Sequence, residues 1–374
     1  MLIATIQKKR IGNLDFKSLR QEAGKSAMGR EEIMRRSLVV VVAVVCLALL
    51  ASADFASAQF YNDKTVRVTV GFSAGGGFDL WARLVARHLG KQIPGNPTVI
   101  VENVTGAGGL IQTNQLFKAT KPDGLTIGHI NGGLILGQVL GQPGYDFEPQ
   151  KFIYIGAANK ENAVFIFGKK SGITSAEKWQ TSPVPVKIGG LVPGNFVDNM
   201  DRVMKDVLGF PTHIVTGYKG TADVLIASDS GELAGGPPSW DGVKVSRKSA
   251  LDAGDMIAVL QCVAKPLKEL PNVPKMIDFA KTEEQKKFVQ IIVHYANDYS
   301  RPFAVPPGTP NDRVEILRKA FQDTMKDKEF LAEIDKMKLT LDPTSAEELT
   351  AAVLNSAKLD QATKAKLKDI LFKQ

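Results

Sequence analysis

An open α/β fold is predicted by a unit that occurs twice near the front of the chain: a short apolar strand, a glycine loop and the start of a helix. The first copy runs from Thr65 to Lys91. Val66, Val68 and Val70 alternate as in a half-buried strand, Ser73 to Gly77 form a tight turn, and Leu80, Trp81, Leu84, Val85 and Leu89 make the apolar stripe of a helix. The second copy has Pro97–Asn103 as strand, Thr105–Gly109 as glycine loop and a helix from about Leu110. A chain of 374 residues, 44% hydrophobic and 23% charged, has material for about two domains with cores of their own.

Each element follows in order. Thr126–Ile130 reads as a third strand ending at Asn131-Gly132-Gly133, which can wall a cleft. In an open parallel sheet the loops at the carboxyl ends of neighbouring strands lie side by side, so the two glycine loops are expected to flank one crevice. Short apolar strands at Phe152–Gly156 and Ala163–Phe167 precede a change of character, which places a domain crossing near residue 160. A second α/β series has strands at Val186–Gly189, Thr212–Val215 and Met256–Leu260. Its helices run from about Val197 to Leu208 and after Tyr218-Lys219-Gly220-Thr221. Pro271, Pro274 and the polar run Lys281–Lys287 mark a return crossing near 285. The tail passes through the proline-rich Arg301–Pro310 connection into amphipathic helices, one striped by Val314, Leu317, Phe321 and Met325. The next is opened by a capping box of Ser345 and Glu348.

The front of the chain reads as an export signal. Arg35-Arg36 precede the apolar run Leu38–Leu50, followed by Ala56-Ser57-Ala58, so cleavage is expected after Ala58, with Met34 a candidate true start. The thirteen apolar residues of that run fall short of the roughly 20 that cross a bilayer. The expected location is therefore the periplasm. Cleavage removes Cys46 and leaves Cys262 unpaired. Formal charge is +8, but nine Lys/Arg against five Asp/Glu in residues 1–58 leave 38 against 34 in the remainder, a net +4. With no basic run and 7% aromatics, nucleic acid is not an expected partner.

The chemistry suggested by the loops is anion binding. Consecutive glycines at 75–77 let backbone approach a ligand, and the free N–H groups of a helix start favour negative charge. Asp79 in the first turn complements the helix dipole or orders a ligand, and Lys219 beside Tyr218 either pairs with an acidic ligand or is a solvated charge. Gly71-Phe72-Ser73-Ala74-Gly75 matches a hydrolase nucleophile elbow, which makes an exported hydrolase using Ser73 the alternative. Against it, too little chain precedes the loop to build an oxyanion strand, and His88, His129, His213 and His294 announce no partner. Dinucleotide and Walker loops fail on spacing, since Ile111 stands where a third glycine is needed and Phe78 follows Gly77. No metal-ligand pattern and no cofactor motif is present.

Together these motifs resemble the extracytoplasmic solute receptors of tripartite tricarboxylate transporters, the Bug family. The resemblance rests on Ala74-Gly75-Gly76-Gly77-Phe78-Asp79, Glu102-Asn103-Val104-Thr105-Gly106-Ala107-Gly108-Gly109, Tyr218-Lys219-Gly220, Leu270–Pro274 and Pro306-Pro307-Gly308-Thr309-Pro310, in that order. Ser73-Ala74 replaces the proline usual in the first loop, and Thr105 stands where proline is common. The resemblance implies a type II periplasmic-binding-protein fold of two lobes joined by two chain crossings, with the ligand cleft between them. Residues 59–160 and 286–374 would form one lobe and 161–285 the other. It implies a small carboxylate ligand, delivery to large and small membrane subunits of a transporter, no enzymatic activity and a monomer. A sensor feeding a signalling protein is a further alternative. The expected ligand-binding residues are Ser73, Ala74, Gly75, Gly76, Gly77, Asp79, Thr105, Gly106, Ala107, Gly108, Asn131, Asn195, Phe196, Tyr218 and Lys219.

Overall fold

The computed structural model describes residues 60–295 and 297–372, without the side chains of His294 and Tyr295. The expected signal peptide, its cleavage after Ala58 and the Met34 start lie outside the described residues. Among the described residues no helix is long and apolar enough to cross a membrane.

Two separate sheets organise the chain. The first begins with β1 (Thr65–Val70), whose Val66, Val68 and Val70 are buried while Thr65 and Arg67 on the other face are exposed. It pairs in parallel with β2 (Thr98–Asn103) and β3 (Thr126–His129). Helix α1 (Gly77–Leu89) returns the chain from β1, burying Trp81, Ala82, Leu84, Val85 and Leu89 with Arg83 and Arg87 outward, the spacing of an amphipathic helix. Helices α2 (Leu110–Lys118) and α3 (Gly133–Val139) follow β2 and β3. Strand β4 (Ile153–Ala157) completes the front part of this sheet.

The chain then crosses to the second sheet through residues 158–163. There β5 (Val164–Gly168), all five residues buried, is followed by α4 (Ala176–Gln180), β6 (Val186–Gly189) and α5 (Phe196–Arg202), which continues as a wider π-helical turn over Val203–Val207. Next come β7 (Thr212–Val215), α6 (Thr221–Ser230), the two-residue β8 (Gly235–Gly236), α7 (Trp240–Ser246), α8 (Lys248–Asp252) and β9 (Met256–Gln261). The order across this sheet is β7-β6-β8-β5-β9. Trp179 fills its core, edge-on to Phe165 and Phe210 at ring separations of 4.9 and 5.1 Å.

After α9 (Glu283–Val289) the chain returns to the first sheet as β10 (Phe303–Val305), and ends with α10 (Asn311–Thr324), α11 (Lys328–Met337), β11 (Thr344–Ser345), α12 (Ala346–Ser356) and α13 (Gln361–Phe372). The first sheet reads β11-β4-β10-β3-β1-β2. The expected capping box is present: Ser345 Oγ accepts the Glu348 N–H and Glu348 Oε2 accepts the Ser345 N–H. Strand β10 differs from the extended connection expected there. Its three residues are buried and antiparallel to both β3 and β4, and Pro302 and Pro306 stand just outside the ladder, where a missing N–H does no harm.

Candidate functional site

The first glycine loop ends in a helix start without a side-chain cap. The N-cap position of α1 is Gly76, and no side chain accepts a hydrogen bond there. The first N–H groups of an α-helix have no partner within the helix, so those of Gly77 and Phe78 remain to be offered. Asp79 holds the loop from behind. Its Oδ2 accepts the Gly75 N–H at 2.9 Å, Arg83 Nε lies 3.0 Å from both oxygens, and Asn103 Nδ2 donates to Oδ1 at 2.9 Å. Burial works against the charge of Asp79, but Arg83, the Gly75 N–H and Asn103 outweigh it and hold the carboxyl below its ordinary value. Asp79 therefore has a local structural role with every oxygen engaged.

The second loop is built differently. Ala107, Gly108 and Gly109 all have positive φ, of 46°, 60° and 93°. The Gly108 carbonyl accepts from Asn131 Nδ2 at 3.1 Å and from Asn195 Nδ2 at 2.9 Å. Asn131 closes the end of β3 and its Oδ1 accepts the Gly133 N–H, while Asn195 caps α5 through the Val197 N–H. A carbonyl from the first sheet is thus bonded to a cap from the second. A side chain at Gly108 would place Cβ 2.7 Å from Val192 Cγ2 and 2.9 Å from Asn195 Nδ2. Closeness between the two halves is what this glycine serves.

Between the sheets lies a cavity of about 30 Å³, lined by Gly76, Gly77, Asn131, Asn195, Thr221 and Ser239 among polar or backbone groups. Phe72, Phe78, Leu191, Phe196, Val197 and Pro237 form its apolar wall. Glu161 and Arg301 complete it, and they come from the two crossings: Glu161 from the segment leaving β4, Arg301 from the one entering β10. Arg301 Nη2 and Nε donate to Glu161 Oε2 at 2.6 and 3.1 Å. The Glu161 N–H donates to Asn297 Oδ1 at 2.7 Å and its carbonyl accepts from Asn297 Nδ2 at 2.9 Å, so the crossings are tied in backbone as well as charge. The Arg301 guanidinium lies 4.3 Å from the centroid of the Phe78 ring. His129 stacks on Phe303 with centroids 4.2 Å apart, and burial together with the charge of Arg301 keeps its ring well below the ordinary histidine value, hence neutral.

Of the expected site residues, Gly76, Gly77, Asn131, Asn195 and Phe196 line the cavity. Ser73, Ala74 and Gly75 form the outer part of the first loop, with Ala74 and Gly75 exposed. Ser73 Oγ donates to Asp223 Oδ2 on α6 at 2.9 Å, a bond across the two halves, and among the described residues no histidine is bonded to it. Thr105, Gly106, Ala107 and Gly108 shape the second loop without lining the cavity, and Asp79 faces Arg83. Tyr218 is turned away by its bond to Glu232 Oε1 at 2.7 Å, and Lys219 is exposed. The residues that sequence inspection missed are chiefly Glu161, Thr221, Ser239 and Arg301. Arg301 stands two residues before the buried Phe-Ala-Val of β10, with Pro302 between, an unusual place for a cation and the one signal that could have found it.

No family model matches the chain. The chain is 36% identical over 91 residues to "UPF0065 protein in gbd 5'region" of Cupriavidus necator, covering 24% of this chain and 27% of that one. It is 36% identical over 94 residues to Protein BugT of Bordetella pertussis, covering 25% and 27%. The matched stretches thus span about a quarter of these curated relatives. In fold the likeness covers almost everything. The periplasmic binding protein BugD superposes with a TM-score of 0.66 at 21% identity, over 83% of this chain and 98% of that one. Rpa4515 of R. palustris, solved with adipate, gives 0.66 at 18% over 82% and 97%. MatC of Rhodopseudomonas palustris, with bound malate, gives 0.65 at 17% over 82% and 99%. These neighbours establish a two-sheet periplasmic-binding-protein fold, and none of them is named as an enzyme. Over about a quarter of its length the chain is thus similar in sequence to Protein BugT, and over nearly all of it the chain has the fold of periplasmic binding proteins such as BugD.

Proposed function

We propose that the protein captures a small carboxylate-bearing ligand between its two sheets in the periplasm and delivers it to the large and small membrane subunits of a tripartite tricarboxylate-type transporter. The observation that carries this is the cavity at the uncapped start of α1, where free backbone N–H groups and a buried arginine meet between the sheets. The adipate and malate held by two fold neighbours favour the carboxylate class. In this proposal residues 59–160 and 286–374 form one lobe and 161–285 the other, working as a monomer, with the Glu161–Arg301 segments as the hinge between them. A cavity of about 30 Å³ has room for about two waters. Admitting a ligand of several carbons therefore requires the sheets to part, breaking the Ser73–Asp223 and Gly108–Asn195 bonds that join them. A thermal-shift screen of purified protein against mono-, di- and tricarboxylates tests the proposal. A ligand present at about 100 times its dissociation constant stabilises a one-site receptor by roughly 2.7 kcal/mol. No shift with any carboxylate would refute it.

A further inference from the structure

The cavity wall contains two charged side chains, and they neutralise each other. Arg301 is 2% exposed and Glu161 6%. Of the guanidinium donors, Nε and Nη2 are committed to Glu161, and Nη1 is buried with no hydrogen-bond partner among the described residues. An arginine in its planar fork has no reason to bury an idle N–H pair unless something is to accept from it. The guanidinium reaches the α1 start, where a Cβ at Gly77 would lie 3.0 Å from Arg301 Nη2, and what it has left for the cavity it lines is the Nη1 pair and the second N–H of Nη2.

Among the described residues, the charged groups named next add no spare cation to this wall. Asp241 is buried beside Lys244 at 3.3 Å, Asp223 accepts from Ser73, and Asp79 holds Arg83. His129 is neutral and Lys219 lies exposed outside the lining. The rest of the wall holds the neutral polar side chains of Asn131, Asn195, Thr221 and Ser239 and an apolar part of Phe72, Phe78, Phe196, Leu191 and Val197 facing one space. Among the described residues a second ligand carboxylate would find no second cation in this lining, and a buried charge without a counter-charge costs well over a factor of ten in affinity.

We propose that the ligand is a monoanionic carboxylate with an apolar body, its charge held by the Arg301 N–H groups that Glu161 leaves unused and by the first N–H groups of α1, and that Glu161 sets this preference by occupying the rest of Arg301. This rests on the receptor function proposed above and narrows its ligand class. Titration calorimetry on the purified protein with 3-methylbutanoate, phenylacetate, succinate and citrate tests it. One of the two monocarboxylates binds at least about tenfold tighter than succinate and citrate. Glu161→Gln keeps the size of the side chain and removes its charge, so succinate gains about tenfold relative to the monocarboxylates as Nε and Nη2 become available. Succinate or citrate binding tighter than both monocarboxylates in the parent overturns the inference while leaving the receptor function standing. An unchanged ratio in a folded Glu161→Gln protein does the same. Should that variant fail to fold, the parent's ranking decides alone. Failure of all four ligands to bind, with no shift across the wider carboxylate screen, sinks both proposals.

Discussion

The two glycine loops look interchangeable in sequence, and they use glycine for opposite reasons. In Ser73–Gly77 the last two glycines leave a helix start uncapped and bare against a cavity, and only Gly75 has positive φ, at 85°. In Thr105–Gly109 the backbone takes the left-handed region repeatedly and lets Val192 and Asn195 of the other half come within van der Waals reach. One loop presents donors; the other joins the halves through a shared carbonyl. A run of glycines therefore states that backbone must come close to something, and the partner is decided elsewhere in the chain.

Substitutions at matched positions should separate the two. The largest effect is expected for Gly108→Val, which forces a β-branched residue to φ of 60° and into Val192 and Asn195. The cost is about 3 kcal/mol or more of folding stability. A urea midpoint equal to the parent's would mean that this loop is as free as the first. For Gly77→Ala the added Cβ would sit 2.6 Å from Ser239 Cβ and 3.0 Å from Arg301 Nη2, at a backbone angle that alanine accepts. Here affinity suffers most: calorimetry should show a loss of about tenfold or more in carboxylate binding, with part of the strain offset by alanine's helix preference of about 1 kcal/mol. Retained affinity would move the ligand away from the α1 start.

The smallest effect sharpens the role of Asp79. Its folded-state pKa lies below its ordinary value of 3.8, so its contribution to stability is present above about pH 4 and disappears as pH falls through the folded-state value. Asp79→Asn should cost about 1 kcal/mol near neutrality, the scale of a charged hydrogen bond partly retained by the amide. Urea midpoints of parent and variant should draw together as the pH falls below about 4 and through the folded-state value. A gap that stays constant with pH would show that the carboxylate charge is not what braces the first loop.

Much of the fold was legible because its signals are local. The alternation of Val66, Val68 and Val70 and the stripe of α1 report one-sided burial, and the capping box at Ser345 and Glu348 satisfies its own backbone groups. Strand β10 was hidden because three residues between prolines carry no periodicity, and β8 because Gly235-Gly236 has no side chains to pattern. Of the candidate site, Gly76, Gly77, Asn131, Asn195 and Phe196 could be named from loops at strand ends. The pairing of Glu161 with Arg301 could not, since 140 residues separate them and no motif links the two.

Sequence alone determined where backbone would be exposed and which helix would begin without a cap, because those properties depend on residues within a turn of one another. Only the tertiary structure decided which glycine loop meets a cavity, which meets the other half of the protein, and how much charge the cavity contains. Those depend on two crossings brought side by side, where a carboxylate and a guanidinium leave water together and fix between them a wall of zero net charge.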